Sequence, residues 1–219
     1  MVHAAPVLRG GLVARAAWLV TGLFLFAAGI VCFLESKLGL SPWDVLHQGI
    51  AKHTPLSFGV ANEVVALAVL FLAWALGSPP GFGTVANAVL IGGFIALVEP
   101  LGPVRSLGGD PLAVRAGLLA AGMVLFGVGT ALYMGAAFGA GPRDSLMLVV
   151  SRRGGVRVGV VRTAIESAVT VVGFLLGGKV GIGTLAFAFG IGPAIESSFW
   201  LLRRSPASLP STPSTIEPA

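Results

Sequence analysis

Residues 39–46 read GLSPWDVL, and residues 139–146 read GAGPRDSL. The glycine, proline, aspartate and leucine recur in place after one hundred positions, and the same register continues on both sides without a gap. Chance similarity between apolar segments does not hold one register through Gly, Pro and Asp, so the chain contains two copies of a unit of about one hundred residues. The pairs that carry the register are Arg15/Arg115, Gly22/Gly122, Phe26/Phe126, Gly29/Gly129, Gly39/Gly139, Pro42/Pro142, Asp44/Asp144, Leu46/Leu146, Gly59/Gly159, Val60/Val160, Gly77/Gly177, Gly81/Gly181, Gly83/Gly183, Thr84/Thr184 and Gly92/Gly192.

The composition is that of a membrane protein. Hydrophobic residues make up 55% of the 219 positions, charged residues make up 11%, and the mean hydropathy is +0.93. A bilayer-spanning helix needs about 20 mainly apolar residues. Six runs of this kind are predicted, near 12–34, 58–76, 83–100, 115–138, 158–176 and 182–202.

Two shorter segments, 42–52 and 142–152, cannot cross the membrane. Ten helical residues reach only about 15 Å, whereas the hydrocarbon core is about 30 Å thick. Each segment therefore either lies at the interface or enters the bilayer and returns on the same side. The sequence leaves both possibilities open.

Three spans in each unit predict that the two units enter the membrane from opposite sides. The expected fold is an all-α membrane protein of about six transmembrane helices, arranged as a 3+3 inverted repeat. The basic residues agree, because Lys and Arg favour the cytoplasmic side. With the N-terminus inside, nine lie on the cytoplasmic side and five outside. The inner set is Arg9, Arg15, Arg143, Arg152, Arg153, Arg157, Arg162, Arg203 and Arg204, and the outer set is Lys37, Lys52, Arg105, Arg115 and Lys179.

One transmembrane domain with two short tails is expected. Residues 1–11 form a cytoplasmic N-terminus, 12–202 the membrane domain with repeats 12–101 and 112–202, and 203–219 a disordered cytoplasmic tail rich in Pro, Ser and Thr. The first apolar run is too long for the core of a signal peptide and has a counterpart in the middle of the chain, so it is read as a helix.

The paired motif resembles that of a known family. Gly39-x-x-Pro42-x-Asp44-x-Leu46, Gly59-Val60 and Gly81-x-Gly83-Thr84, with the matching set from Gly139 to Thr184, are similar to the YczE/YitT-type family of bacterial membrane proteins over about residues 12–202. The resemblance implies a multi-pass protein of the bacterial cytoplasmic (inner) membrane with both termini cytoplasmic. It implies no substrate and no catalytic residues.

Asp44 and Asp144 are the first candidates for a functional site. Each follows a proline by two residues, which is the order of a helix start with its carboxylate beside free backbone donors. One interpretation is that both aspartates are helix caps. The other is that two symmetry-related half-helices place these carboxylates beside a transported ion or solute.

Four glutamates fall within or beside predicted spans. Glu63 and Glu166 lie near the start of the second span of each unit, and Glu99 and Glu196 lie near the end of the third. Ionisable groups inside a span are costly and often mark a transport pathway. Glu166 also has Arg162 one turn before it, so a structural ion pair is the alternative.

The remaining motifs predict structure rather than chemistry. Gly81-x-Gly83-Thr84 and Gly181-x-Gly183-Thr184 have neither the strand nor the lysine of a phosphate loop, so they are expected to form turns whose threonines cap the next helix. The single cysteine, Cys32, and the scattered histidines provide no metal site. No nucleophile with its base is visible. Neither enzymatic activity nor a cofactor is expected.

The leading hypothesis is a small permease or channel-like transporter of an unidentified small solute or ion. Its partners would be the lipid bilayer, that solute, and a second copy or another membrane protein, but not nucleic acid. The alternative is a non-transporting accessory protein that stabilises or regulates a partner complex. The cues for that alternative are small-residue helix faces and the basic segment from Arg143 to Arg162.

Overall fold

The computed structural model describes residues 6–101 and 111–208, and within them the fold is helical. Proline or an N-terminal cap starts several of the helices, and glycines with positive φ follow several of them. The helices are α1 (Leu12–Ser36), α2 (Pro42–His53), α3 (Phe58–Ala75), α4 (Phe82–Val98), α5 (Leu112–Gly135), α6 (Pro142–Gly154), α7 (Val158–Leu175) and α8 (Ile182–Arg204).

The first helices of the two units, α1 and α5, pack against each other in opposite directions. Arg15, near the start of α1, donates from Nε to the carbonyl oxygen of Ala136 at 2.9 Å, just past the end of α5. Arg115, near the start of α5, donates from Nε to the carbonyl oxygen of Ser36 at 2.8 Å, at the end of α1. Each guanidinium thus binds the free carbonyl end of the other helix, where a positive charge is favoured.

Glycines allow this α1–α5 seam to close. A Cβ on Gly22 would lie 2.8 Å from the carbonyl oxygen of Gly129, and one on Gly29 would lie 2.9 Å from that of Gly122. The same holds in reverse for Gly129 and Gly122. At the centre of the seam Phe26 meets its own counterpart, Phe126, with ring centroids 3.9 Å apart. The contacts are those of a two-fold interface in which each residue meets its partner's equivalent.

The loop after α5 contacts the start of α4, and the loop after α1 contacts the start of α8, so each loop reaches the other unit. The backbone nitrogen of Gly83 donates to Phe138, and that of Gly183 donates to Leu38, both at 2.8 Å. We call the end of the bundle where α1 begins and α5 ends the first face, and the end where α1 ends and α5 begins the second face. Helix α4 therefore begins at the first face and α8 at the second.

Each short helix packs against a helix of the other unit: α2 packs on α7, and α6 packs on α3. The α2–α7 contact is close because Gly49 and Gly173 touch there. At the far end of α2 the Lys52 ammonium donates to the carbonyl oxygen of Gly177, at the second face. The Arg153 guanidinium at the end of α6 lies beside Gly77, at the first face.

Five described helices are long and apolar enough to cross a membrane: α1, α3, α5, α7 and α8. Helix α4, the third of the six predicted spans, is apolar but has 17 residues. The two predicted short helices are present, and each extends slightly beyond its expected end, to His53 and Gly154.

Both ends of the described chain meet at the first face. Leu8 forms an isolated antiparallel bridge with Ser208, and its backbone nitrogen donates to Gly135 at 2.9 Å. Helix α8 continues through Arg204 into the segment that the sequence assigns to a disordered tail. Residues 1–5 of the expected N-terminal segment, the inter-repeat residues 102–110 with Arg105, and tail residues 209–219 lie outside the described part of the chain.

Candidate functional site

A cavity of about 300 Å³ lies where the two units meet. The central pair Phe26 and Phe126 forms part of its wall. The starts of both short helices also line it, with Ser41 and Trp43 from α2 and residues 141–144 from α6. The cavity is therefore built from both units, and its volume is in the range of small-molecule sites.

The polar wall of this cavity comes mainly from the second unit. Arg143 and Asp144 on α6 and Arg162 and Glu166 on α7 all line it. Arg162 donates from Nε to Glu166 at 2.9 Å, and the Tyr133 hydroxyl donates to Asp144 at 3.0 Å. Apart from the Arg143 guanidinium, each of these charged groups thus has a hydrogen-bonded partner.

The Arg143 guanidinium is held by an aromatic ring. It lies over the indole of Trp43, 5.2 Å from the ring centroid, which joins the starts of α6 and α2. Among the described residues, no carboxylate lies within salt-bridge distance of it. The backbone around it is also open, because α6 begins at Pro142 with Gly141 as its N-cap and no capping side chain.

The equivalent region of the first unit is filled. Asp44 accepts from the Ser41 hydroxyl and lies 3.2 Å from Nδ1 of His47, and the Asn62 side chain lies 3.2 Å from the same nitrogen. The Phe58 ring closes over His47 edge-on at 6.0 Å. These five side chains are buried, whereas Arg162 and Val158, the counterparts of Asn62 and Phe58, are partly exposed.

The difference follows from how α3 meets α4 in the first unit and how α7 meets α8 in the second. In the first unit α3 packs against α4, with the Glu63 side chain pressed against Gly92. No comparable packing joins α7 and α8 within residues 111–208. The cavity occupies this gap, between Arg162 and Glu166 on α7 and Phe187 and Phe199 on α8.

Three buried polar atoms have no hydrogen-bond partner in the described chain: Trp43 Nε1, Thr130 Oγ1 and His47 Nε2. Burying a polar group without a partner costs free energy, so such atoms often lie where another molecule binds. Trp43 and Thr130 both line the cavity. Within residues 6–101 and 111–208, no three His, Cys, Asp or Glu side chains come together as a metal-binding group.

Comparison with known proteins gives the family. Residues 13–198 match the model of a family of unknown function, DUF6198. The chain belongs to this family. An uncharacterized protein of Haemophilus influenzae is 35% identical over 88% of this chain and 93% of its own length. The uncharacterized membrane protein YczE of Bacillus subtilis is 35% identical over 81% of each chain. No solved structure matches the chain.

The DUF6198 match and the similarity to YczE confirm the resemblance predicted from the paired motif. With the apolar helices they identify a membrane protein. The family and the relatives named here carry no assigned activity.

Three of the residues predicted as a pathway come together in this DUF6198 member, and four do not. Asp144, Arg162 and Glu166 line the cavity. Asp44 is buried in the closed network of the first unit. The other three lie apart from both: Glu63 packs between α3 and α4, Glu99 is the C-cap of α4, and Glu196 is exposed on α8.

The glycine motifs predicted as turns lie at the crossing points between the units. Gly39 and Gly139 have φ values of 129° and 116°, which a side chain would strain. Thr84 and Thr184 accept from the backbone nitrogens of Gly81 and Gly181, at 3.1 and 3.2 Å. Gly59 on α3 packs against Gly92, whereas a Cβ added to its counterpart Gly159 on α7 would meet nothing within 4 Å. Cys32 is buried against Gly122.

Sequence reasoning missed the residues that distinguish the two units. The sequence pattern identifies Arg143 only as a topological charge and as the start of the basic segment, and it does not single out Tyr133, Thr130 or Trp43. A usable signal exists in the same register, because the second unit replaces Phe33, Ile30 and Trp43 by Tyr133, Thr130 and Arg143. Mismatches that introduce polar groups into a duplicated apolar core mark the cavity. His47 was also set aside, although Asp44 lies one turn before it.

Proposed function

We propose that this protein is a small permease whose six spans form a 3+3 inverted repeat. The opposite directions of α1 and α5, and the reciprocal bonds of Arg15 and Arg115, support the inversion. Helix α4 is the sixth span. Its 17 residues reach about 25 Å, which is at the short end of what crosses a bilayer.

The proposed orientation places the first face in the cytoplasm of a bacterial inner membrane. Leu8 and Ser208 meet at this face, which puts both ends of the described chain on one side, as an even number of spans requires. The exposed arginines Arg152 and Arg153 lie in the last turn of α6 there and Arg157 follows it, and cytoplasmic loops are enriched in arginine.

In the same proposal α2 and α6 are re-entrant. Their starts line one central cavity, while their far ends contact Gly177 at the second face and Gly77 at the first. Two half-helices that meet head to head near the middle of the bilayer are typical of transporters built from inverted repeats. Non-helical backbone at that depth is tolerated because protein or a cavity surrounds it.

One observation carries the permease proposal: the polar cavity of the second unit has a filled counterpart in the first. In a transporter with alternating access, two similar halves exchange an open and a closed arrangement around one site. The gap between α7 and α8 then represents the open half. The Ser41–Asp44–His47–Asn62 network, covered by the Phe58 ring of α3, represents the closed half.

Uptake into proteoliposomes tests this function. The probes are radiolabelled rubidium ion, alanine and hexanoate, which represent a cation, a zwitterion and an organic anion. We expect uptake of one of them above empty liposomes, and a loss of at least tenfold in the Asp144→Asn and Glu166→Gln variants. Glu196→Gln is the matched control, because Glu196 is exposed outside the cavity. Uptake that no cavity variant changes would refute the assigned route.

The accessory-protein alternative is decided by the same preparation. It would be favoured if a stoichiometric partner co-purified from the native membrane and none of the three probes entered the liposomes. Arg143 and Arg162, which bound the basic segment expected to meet such a partner, line the cavity instead. This is why we rank the permease first.

A further inference from the structure

From the cavity's unused hydrogen-bond donors and its aromatic wall, we propose that the site takes a small amphipathic anion, with its anionic group at Arg143 and its apolar part against Phe126 and Phe187. Transport of this anion depends on the proposed permease function, whereas its binding to the cavity does not. It concerns which class of molecule the cavity between α7 and α8 recognises.

Several residues that line the cavity carry hydrogen-bond donors for which the described chain supplies no acceptor. The Arg143 guanidinium has five N–H groups, lies over Trp43, and has no carboxylate within salt-bridge distance among the described residues. Trp43 Nε1 and the Thr130 hydroxyl are buried without a partner. A ligand that satisfies this set must bring acceptor atoms, and a carboxylate or phosphate matches the planar guanidinium.

The carboxylates of the cavity have hydrogen-bond donors of their own and do not occupy the Arg143 N–H groups. Glu166 is paired with Arg162, and Asp144 accepts from the Tyr133 hydroxyl. At the uncapped start of α6, the backbone N–H groups of residues 143 and 144 add positive potential beside Arg143. Asp44, Asp144 and Glu166 offset the Arg143 charge from a distance, but its N–H donors have no carboxylate acceptor among the described residues.

The rest of the wall is apolar and selects the remainder of the ligand. Phe126 and Phe187 meet edge to face with centroids 5.0 Å apart, and Phe199 and Ile195 continue the surface along α8. An inorganic anion would leave this surface without a partner. An anion with a short hydrocarbon or aromatic body would cover it, and each buried CH₂ raises the affinity about fourfold.

Such an anion can come from two sources. A water-soluble carboxylate would enter from the first face past Val158 and Arg162, which are partly exposed. A lipid-derived anion would enter sideways through the gap between α7 and α8. Both share the same chemistry at Arg143, so the experiment must separate them.

Calorimetric titration of the purified protein in nanodiscs of neutral lipid tests the site. The probes are hexanoate, the matched cation hexylammonium, and oleate for the lipid source. We expect hexanoate or oleate to bind and hexylammonium not to. Binding by hexanoate and its displacement by oleate would indicate one shared site, whereas binding by oleate alone would assign the site to lipid-derived anions. A preference for hexylammonium, or no binding of either anion, would overturn the proposal.

Variants locate the anion. Arg143→Gln should weaken binding roughly 10- to 100-fold, because it removes a charge-assisted bidentate contact. Thr130→Val keeps the shape of the side chain but removes its hydroxyl, so it is expected to weaken binding several-fold. This variant tests the assigned position if Arg143→Gln does not fold. Arg152→Gln, exposed near the end of the same helix, is the control. Unchanged affinity in a folded Arg143→Gln or Thr130→Val protein would contradict the assigned position.

The two proposals fail in different ways. Uptake of rubidium ion or alanine without any anion binding would leave the permease standing and remove the anion. Binding of hexanoate that depends on Arg143, with no uptake of any probe, would leave the site standing and remove transport.

Discussion

Arg15 and Arg115 make equivalent contacts, because each binds carbonyl oxygens at the end of the other's helix. Arg15 binds those of Ala136 and Ala137, and Arg115 binds those of Ser36 and Lys37. The two contacts lie at opposite ends of the α1–α5 seam. They are separated by about 30 Å, the length of roughly twenty helical residues. They are therefore energetically independent while being structurally equivalent.

Neutralising either arginine should destabilise the protein by a similar amount. Arg15→Gln and Arg115→Gln each remove hydrogen bonds from a charged donor, which typically contribute about 1.5 to 3 kcal/mol. The double variant should show the sum of the two losses, because distant sites are additive. Thermal unfolding in detergent measures this, with Arg152→Gln as the control. A loss confined to one of the two variants would contradict the equivalence.

A methyl group added at the α1–α5 seam should lower the stability of the protein, whereas the same change on α5 away from the seam should not. Gly22→Ala would place a Cβ 2.5 Å from the Tyr133 nitrogen, so we expect a loss of about 1 to 3 kcal/mol from overpacking. Gly117→Ala meets nothing within 4 Å and should leave the melting temperature unchanged or raise it. Equal melting temperatures for the two variants would mean that the seam is looser than described.

The far ends of α2 and α6 should be accessible from opposite sides of the membrane. Cys32 is buried, and a Cys32→Ala background allows single cysteines at His53 and Arg153, which are both exposed. A membrane-impermeant maleimide should label position 53 from outside intact cells and position 153 only after the inner side is opened. Labelling of both from one side would exclude the inverted arrangement.

Asp44 and Asp144 should behave differently although they occupy equivalent positions. Asp44→Ala removes the acceptor of the buried Ser41 hydroxyl, at a cost of about 1 to 3 kcal/mol, and one of the two partners of His47 Nδ1. Asp144→Ala removes a half-buried carboxylate that accepts from the Tyr133 hydroxyl, and the cavity beside it can admit water to that hydroxyl, so we expect a smaller loss of stability. Unfolding temperatures of the two variants decide this. A larger loss for Asp144→Ala would mean that the open and filled regions have been exchanged.

The sequence predicted the elements well because their signals are local. Apolar runs located the long helices, and proline followed by aspartate located both short helices at Pro42 and Pro142. The register also identified the residues of the seam, such as Arg15 and Gly22. It could not say that their partners would be the corresponding residues of the other unit, since packing partners depend on the whole fold.

The candidate site was predicted only in part, because a search for recurring residues finds what the two units share. Asp144 was found in this way, and so was Asp44, which turned out to lie in a closed network. Arg143 escaped because it has no counterpart in the first unit. Its role depends on an aromatic ring from the other unit, Trp43, and no local pattern reports that contact.

The α1–α5 seam also has a consequence for biosynthesis. The glycine face of α1 is completed only by α5, which follows about one hundred residues later in the chain. At a translation rate of about 5 to 20 residues per second, α5 is synthesised on the order of 5 to 20 s after α1. During that interval Gly22 and Gly29 present a groove that another helix with small residues can enter, so we expect α1 to need more protection during insertion than α5.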